Sequence, residues 1–218
     1  MDYERDRVNR LVSRNTEIII VLLVVAIIAG ILQGVGYATP GWLVFSGTSD
    51  SNVSFSVGMG FWYQRFCTDS CEIGYINSAL FWSKDDKTEF DTYKLIATLA
   101  VVSSISVPIT LPIYLRKIRL QGDITSMATT NVIFSLAAGV LALVVVGKTA
   151  SDVHAEYELW VETEKDTDFK LGFLYSAMLM GLGGTLNVLI FIALCVQIYY
   201  RKRDMNESDR EDESVGMT

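Results

Sequence analysis

Residues 18–36 of the chain are IIIVLLVVAIIAGILQGVG, a run of nineteen residues without an ionisable side chain. A helix of about 20 apolar residues spans the hydrocarbon core of a bilayer, which is roughly 30 Å thick. Three further uncharged apolar segments follow at 95–115, 127–147 and 171–198. Charged side chains are costly in lipid, so such runs are typical of transmembrane helices. The sequence predicts a mainly α-helical integral membrane protein built on a four-helix bundle.

Basic residues predict how these helices are oriented. The chain has a formal net charge of −7, a mean hydropathy of +0.33 and 50% apolar residues. Its arginines and lysines are nevertheless concentrated before the first segment, at 116–119 and at 201–203. Lysine and arginine are enriched on the cytoplasmic side of membrane proteins. We therefore expect a multi-pass plasma-membrane protein with both termini cytoplasmic and with extracellular loops at 37–93 and 148–169.

Three regions follow from this topology. Residues 1–17 form a cytoplasmic N-terminus, 18–200 a membrane domain and 201–218 a cytoplasmic tail. The tail is acidic and poor in apolar residues, which predicts disorder. Cys195, near the inner end of the fourth segment, is a candidate palmitoylation site, and a plain buried thiol is the alternative. Asn52 begins an Asn-Val-Ser sequon in the first extracellular loop and is a candidate for N-glycosylation.

The first extracellular loop has the pattern of a β-structure. Apolar or aromatic residues alternate with smaller or polar neighbours over 53–63, which predicts a half-buried strand. The period resumes at 71–75 after the polar turn 68–70. Cys67 and Cys71 then face each other across a hairpin, where they can form a disulfide that holds the register of the strands. The alternative is a pair of free thiols, which an oxidising compartment disfavours.

The order of Trp42, Gly60-Phe61-Trp62, Cys67 and Cys71 resembles the W…GLW…C…C motif of the claudin, peripheral myelin protein 22 and calcium-channel gamma-subunit superfamily. Four residues separate Trp62 from Cys67, and three separate the two cysteines, so both spacings differ from the usual ones. The resemblance covers about 200 residues. It implies a left-handed four-helix bundle whose first extracellular loop forms a small antiparallel sheet.

The resemblance also implies a function. The leading expectation is a claudin-like protein of cell junctions, including tight junctions, which contributes to cell–cell adhesion and to a paracellular barrier or ion permeability. Its partners would be the bilayer and like or related proteins in cis and in trans. The alternative is an auxiliary subunit that modulates the trafficking or gating of an ion channel or receptor. In claudins, charged side chains after the second cysteine help to set ion selectivity, which makes Glu72 the candidate here, with an ordinary solvated loop as the alternative.

Sequence features of an enzyme are missing. The chain has one histidine, His154, without a partner histidine or cysteine for a zinc site. Nucleotide-binding glycine patterns and a nucleophile elbow are also missing, so we predict neither enzymatic activity nor a cofactor, and no binding of nucleic acid. Small residues instead favour helix packing, at Gly30 and Gly34 in the first segment and at Ala177, Gly181 and Thr185 in the fourth. Packing within the monomer is the expected use of these faces, and dimerisation is the alternative.

Overall fold

The structure is a computed structural model that describes the backbone of residues 2–48, 53–75, 84–120, 125–163 and 170–215. Within these ranges it has four helices, each long and apolar enough to cross a membrane, and a small antiparallel sheet. The predicted fold class is confirmed.

The helices are longer than the apolar segments that they contain. They run as α1 (Asp2–Ala38), α2 (Lys84–Arg119), α3 (Thr125–Thr163) and α4 (Tyr175–Val215). Their membrane-spanning parts are Asn15–Ala38, Asp91–Ile118, Thr125–His154 and Tyr175–Arg203. Side chains that face away from the bundle, such as Val21, Ile109 and Leu189, are large, apolar and exposed. An outward apolar surface of this kind matches a lipid environment.

α4 also differs from the sequence prediction at its end. We predicted disorder over 201–218, but the helix continues to Val215. No glycine or proline occurs between Gly184 and Gly216, and glutamate, arginine and methionine are good helix formers. The acidic composition is therefore compatible with a helical extension of α4.

The four helices form a closed ring in which α1 packs against α2 and α4, and α3 packs against the same two helices. One apolar cluster fills the end of the bundle near the sheet, with Met180 and Val145 buried in it. A second cluster fills the opposite end, which we call the sheet-distal end, around Ile19, Tyr114 and Leu194. The core thus extends along the whole membrane-spanning part of the bundle.

The closest helix contacts involve glycines that the predicted small-residue faces did not include. A Cβ added to Gly183 of α4 would lie 2.7 Å from Gln33 Cγ and 2.8 Å from the Ala29 carbonyl oxygen of α1. One added to Gly36 would lie 2.6 Å from the Ser176 carbonyl oxygen. Gly34, in contrast, would meet nothing within 4 Å. Close packing therefore does take place within the monomer, and the predicted Ala177 is buried in it, but the tightest contacts are at glycines outside the predicted faces.

Two buried amide side chains connect the diagonal helix pairs of the ring. Gln33 of α1 donates a hydrogen bond from Nε2 to the Ala138 carbonyl of α3 (3.3 Å). Asn187 of α4 donates from Nδ2 to Ser104 Oγ of α2 (2.9 Å) and to the Gly183 carbonyl (3.1 Å). Both amides are fully buried. Since lipid gives little apolar drive for helix association, such bonds help to fix which helices meet.

The sheet has five strands in the order β4-β3-β2-β1-β5, with antiparallel neighbours throughout. Four strands come from the α1–α2 connection, namely β1 (Leu43–Thr48), β2 (Ser54–Met59), β3 (Tyr63–Cys67) and β4 (Cys71–Tyr75). The short β5 (Lys170–Leu171) precedes α4 and pairs with β1. We call these five strands the platform. The sequence predicted a sheet from the first loop alone, so the contribution of the second connection is an addition.

One predicted strand is wrong in its extent. The alternation over 53–63 predicted a single strand, but the chain turns after Met59 and returns as β3. The Gly60 amide donates to the Tyr63 carbonyl (3.0 Å) across this turn. Phe61 leaves the strand pattern and becomes buried, with an exposed fraction of 4%. The ring is buried by a tertiary contact with the bundle. The alternation of residue types along a strand carries no information about such a contact, so it could not predict the turn.

Candidate functional site

The predicted motif residues Trp42, Gly60 and Phe61 meet where the platform joins the bundle, and we call these three residues the anchor. Trp42 is buried, and its indole Nε1–H donates to the Gly36 carbonyl at the end of α1 (2.8 Å). The rings of Trp42 and Phe61 pack with centroids 4.4 Å apart. The Trp42 amide also donates to the Met59 carbonyl of β2 (2.9 Å). The anchor therefore connects the first helix to the first hairpin through both polar and apolar contacts.

Gly60 of the anchor permits a close backbone approach. A Cβ at this position would lie 2.7 Å from the Thr39 carbonyl oxygen and 3.0 Å from Pro40 Cα. Gly58, two residues earlier in the chain, is equally restricted, since a Cβ there would lie 2.6 Å from the Pro40 carbonyl oxygen. The β2 strand thus lies directly on the link that follows α1, and any side chain at these two glycines would push the platform away.

Ser176 strengthens the same junction, although sequence reasoning did not identify it. This fully buried residue, in the first turn of α4, donates from Oγ to the Thr39 carbonyl (3.1 Å) and accepts from the Gly41 amide (2.8 Å). Its hydroxyl lies 2.6 Å from that of Thr39. A serine at the start of a transmembrane helix is common, so only the position of its partners, 135 and 137 residues away in the chain, reveals the role.

Trp62, the last aromatic residue of the motif, occupies a different environment from Trp42. Its indole is 43% exposed and stacks edge-on against Tyr37, with centroids 5.5 Å apart. The Lys94 ammonium of α2 lies 3.7 Å from the centre of the Trp62 ring, which is a cation–π contact. The hydroxyl groups of Tyr37 and Thr98 form a hydrogen bond, with their oxygens 2.6 Å apart. Trp62 therefore connects the platform to α2, whereas Trp42 and Phe61 connect it to α1 and the core.

The predicted disulfide between Cys67 and Cys71 is present in the structure. The two cysteines are register partners that close the β3–β4 hairpin, and their Cα atoms are 4.0 Å apart. Within the turn, the Thr68 amide donates to the Ser70 carbonyl (3.1 Å). An isolated hairpin is marginally stable in water, so the covalent link adds to the five register pairs that join β4 to β3.

The hairpin presents an exposed surface that combines apolar and acidic side chains. Ile73 of the edge strand β4 is 71% exposed, and Phe66 of β3 is 44% exposed. Asp69 in the turn and Glu72 beside Cys71 are exposed, and neither forms an ion pair with a described residue. Glu72 is the register partner of Phe66, so the two lie on one face of the platform. We call residues 66–74, most of which are exposed, the hairpin tip.

The acidic side chains of the loops are not equivalent. Asp152 of α3 accepts hydrogen bonds from the Tyr93 hydroxyl (3.0 Å) and from the Lys148 ammonium (2.7 Å). Its carboxylate is thus engaged in joining α2 to α3. Asp69, Glu72 and Asp91 are the exposed acids with described side chains in the two connections, and the first two lie together on the β3–β4 hairpin.

Two other predicted sites are less informative. Asn52 lies outside the described residues. Cys195 is a free, partly buried thiol in α4, near the sheet-distal end.

No protein-family model matches the chain, and no curated protein sequence matches it significantly. The helices and the platform define a multi-pass membrane protein that carries a disulfide-linked β-sheet at one end of its bundle.

Proposed function

We propose that this protein is a claudin-like component of cell–cell junctions and that the platform contacts like or related proteins on the same and on neighbouring cells. The proposal places the protein in the plasma membrane with both termini in the cytoplasm. The platform is then extracellular, and so is the glycosylation candidate Asn52, which lies between β1 and β2 in the sequence. Palmitoylation of Cys195 would occur at the cytoplasmic leaflet.

The observation that carries the proposal is the rigid attachment of an exposed hairpin tip. The anchor, Ser176 and Trp62 join the platform to α1, α4 and α2, so its orientation follows that of the bundle. At the same time, β4 is an edge strand with an exposed isoleucine. Edge strands and exposed apolar side chains are typical of protein contact surfaces. A platform of fixed orientation, with an exposed edge strand, is suited to repeated contacts between membrane proteins.

Charge at the hairpin tip supports a role in ion permeability. Asp69 and Glu72 are exposed carboxylates only three positions apart, and a surface with one sign of charge concentrates counter-ions. If such tips line a space between two cells, we expect them to favour cations. Glu72 follows Cys71 directly, and in claudins charged side chains shortly after the second cysteine help to set ion selectivity.

The permeability prediction can be tested with matched charge reversals. Glu72→Lys and Asp91→Lys change the net charge equally, but Asp91 lies at the start of the spanning part of α2, outside the hairpin tip. In an epithelial layer that expresses the protein, Glu72→Lys should lower the permeability of sodium relative to chloride, whereas Asp91→Lys should leave the ratio close to that of the unmodified protein. An unchanged ratio for Glu72→Lys would remove Glu72 from the proposal.

Proximity labelling in native tissue tests the broader assignment. Enrichment at lateral cell contacts, together with other junction proteins, supports the junction role. Stoichiometric co-purification with one pore-forming protein, without enrichment at contacts, would instead support an auxiliary channel subunit and would contradict the proposal.

A further inference from the structure

The disulfide of the platform lies at an accessible edge of the molecule. Cys71 is exposed and Cys67 is partly buried, and the three residues between them, Thr68, Asp69 and Ser70, are all exposed. β4, which begins at Cys71, is an edge strand that pairs with β3 alone. Of the two cysteines, Cys71 is thus the one more open to a thiol from solvent.

The fold protects this disulfide only weakly. By thermodynamic linkage, folding favours a disulfide by the same factor by which the disulfide favours folding. On the chain-entropy model this factor is about 30 for the ring that Cys67 and Cys71 close, and about 3,000 for a ring of about 100 residues. Exposed disulfides with little such protection are the ones that exchange most readily with thiols in solution.

The charges around the disulfide favour one class of thiol. Asp69 lies between the two cysteines and Glu72 follows Cys71, and both carboxylates are exposed. Arg65 lies two residues before Cys67 on the same face of β3, but it is partly buried. Because the exposed charges of the hairpin tip are negative, they repel an anionic thiol such as glutathione and attract a cationic one such as cysteamine.

We propose that Cys71 is a site of thiol–disulfide exchange with small cationic thiols outside the cell, and that this exchange removes the covalent link of the β3–β4 hairpin. The small thiolate attacks Sγ of Cys71, the bond between Cys67 and Cys71 breaks, and Cys67 leaves as a thiolate that takes a proton from water. A second small thiol then attacks the mixed disulfide, which releases Cys71 and forms the small-molecule disulfide. Two small thiols are thus oxidised for each protein disulfide that is reduced.

The consequence of the exchange is local. The four other register pairs still join β4 to β3 after reduction, and the rest of the platform keeps its attachment to the bundle. The edge strand with its exposed Ile73 then separates from β3 about 30-fold more often, by the same linkage. The inference does not depend on the junction role, and it requires only that the platform face the oxidising exterior, where the disulfide forms.

The first test measures how far the fold protects the disulfide. The full-length protein in phosphatidylcholine nanodiscs is equilibrated with cysteamine and its disulfide cystamine, quenched with acid, denatured and alkylated, and reduced Cys67 and Cys71 are counted by mass spectrometry. Cys195, a free thiol, is the internal reference for alkylation. We expect the ratio of reduced to disulfide-bonded protein to be about 30-fold lower in nanodiscs than in SDS, where the platform is unfolded. Protection of more than about 100-fold would overturn the proposal, since the fold would then shield the disulfide.

The second test compares the rates of reduction by cysteamine and by glutathione. Glu72→Gln and Asp91→Asn each remove one negative charge, but Asp91 lies outside the hairpin tip. The ratio of the cysteamine rate to the glutathione rate should fall about two- to threefold in Glu72→Gln and stay unchanged in Asp91→Asn. Equal ratios in the two variants would overturn the preference for cationic thiols.

Trapping of the intermediate identifies the sulfur that is attacked. N-ethylmaleimide added during the reaction with cysteamine blocks the cysteine that leaves, so the mixed disulfide stays on the other one. We expect the maleimide on Cys67 and the cysteamine on Cys71, because Cys71 is the more exposed of the two. The reverse distribution, or equal amounts of both products, would overturn the assignment of Cys71.

Discussion

Replacing Gly60 with alanine tests how closely the platform approaches the bundle. The new methyl group would lie 2.7 Å from the Thr39 carbonyl oxygen and 3.0 Å from Pro40 Cα, both of which are backbone atoms. Ordinary contact requires about 3.5 Å, so β2 must move by about 0.8 Å or the link after α1 must distort. Such overpacking costs about 1–3 kcal/mol.

Gly74→Ala is the matched control. Gly74 lies in the edge strand β4, and a Cβ there would meet nothing within 4 Å. Either substitution reduces the entropy of the unfolded chain and contributes about 0.5–1 kcal/mol in favour of the folded state. This contribution cancels when the two variants are compared. The difference between them therefore isolates the steric cost, about 1–3 kcal/mol, which corresponds to roughly 5- to 150-fold in a local opening equilibrium.

Hydrogen exchange of the backbone amides in β1 and β2 measures this opening directly, in detergent or nanodiscs. Gly60→Ala should accelerate exchange of these amides by the stated factor relative to Gly74→Ala, while amides in the middle of the four helices keep their protection. In Gly74→Ala, exchange in β1 and β2 should match the unmodified protein or be slower. If both variants exchange alike, the close approach of β2 to residues 39 and 40 is not the contact that holds the platform.

Three further predictions concern the hairpin and the bundle. Replacing both disulfide cysteines with serine should destabilise the hairpin by about 2 kcal/mol on the chain-entropy model, seen as faster exchange in β3 and β4 with unchanged far-UV circular dichroism. A double-mutant cycle of Ser104→Ala and Asn187→Leu should give a coupling of about 0.6–1.7 kcal/mol in SDS-induced unfolding, and a value near zero would show that the hydrogen bond is not formed. Gly183→Ala should destabilise the bundle by about 1–3 kcal/mol through its clash with Gln33, whereas Gly34→Ala should have no such effect.

Features with a strong local cause could be predicted from the sequence. The four apolar segments became helices because a bilayer leaves few other structures for a backbone that must satisfy its own hydrogen bonds. The pairing of Cys67 with Cys71 followed from a short polar turn between two strand-like runs. In the same way, Trp42 and Phe61 could be identified by their resemblance to a motif, although the resemblance did not supply their contacts.

Features that depend on distant parts of the chain could not be predicted. The turn at Gly60 arises from the backbone of residues 39 and 40, and the role of Ser176 arises from Thr39 and Gly41. Neither has a local pattern. The strands β1 and β5, which no predicted strand covers, have a similar explanation. β5 has two residues and exists only through its pairing with β1, so it has no periodicity to detect.

The pairing of β5 with β1 has a consequence for engineering. A chimera that exchanges only residues 39–83 with another four-span protein would transfer four strands and leave the fifth behind. The grafted β1 would then meet a foreign neighbour at Lys170 and Leu171, with the Gly172 amide that donates to the Val44 carbonyl (2.7 Å) also mismatched. Grafts that move both connections together should keep the pairing of β1 with β5. Grafts of the first connection alone should lose that pairing and leave the β1 edge of the sheet unpaired next to α4.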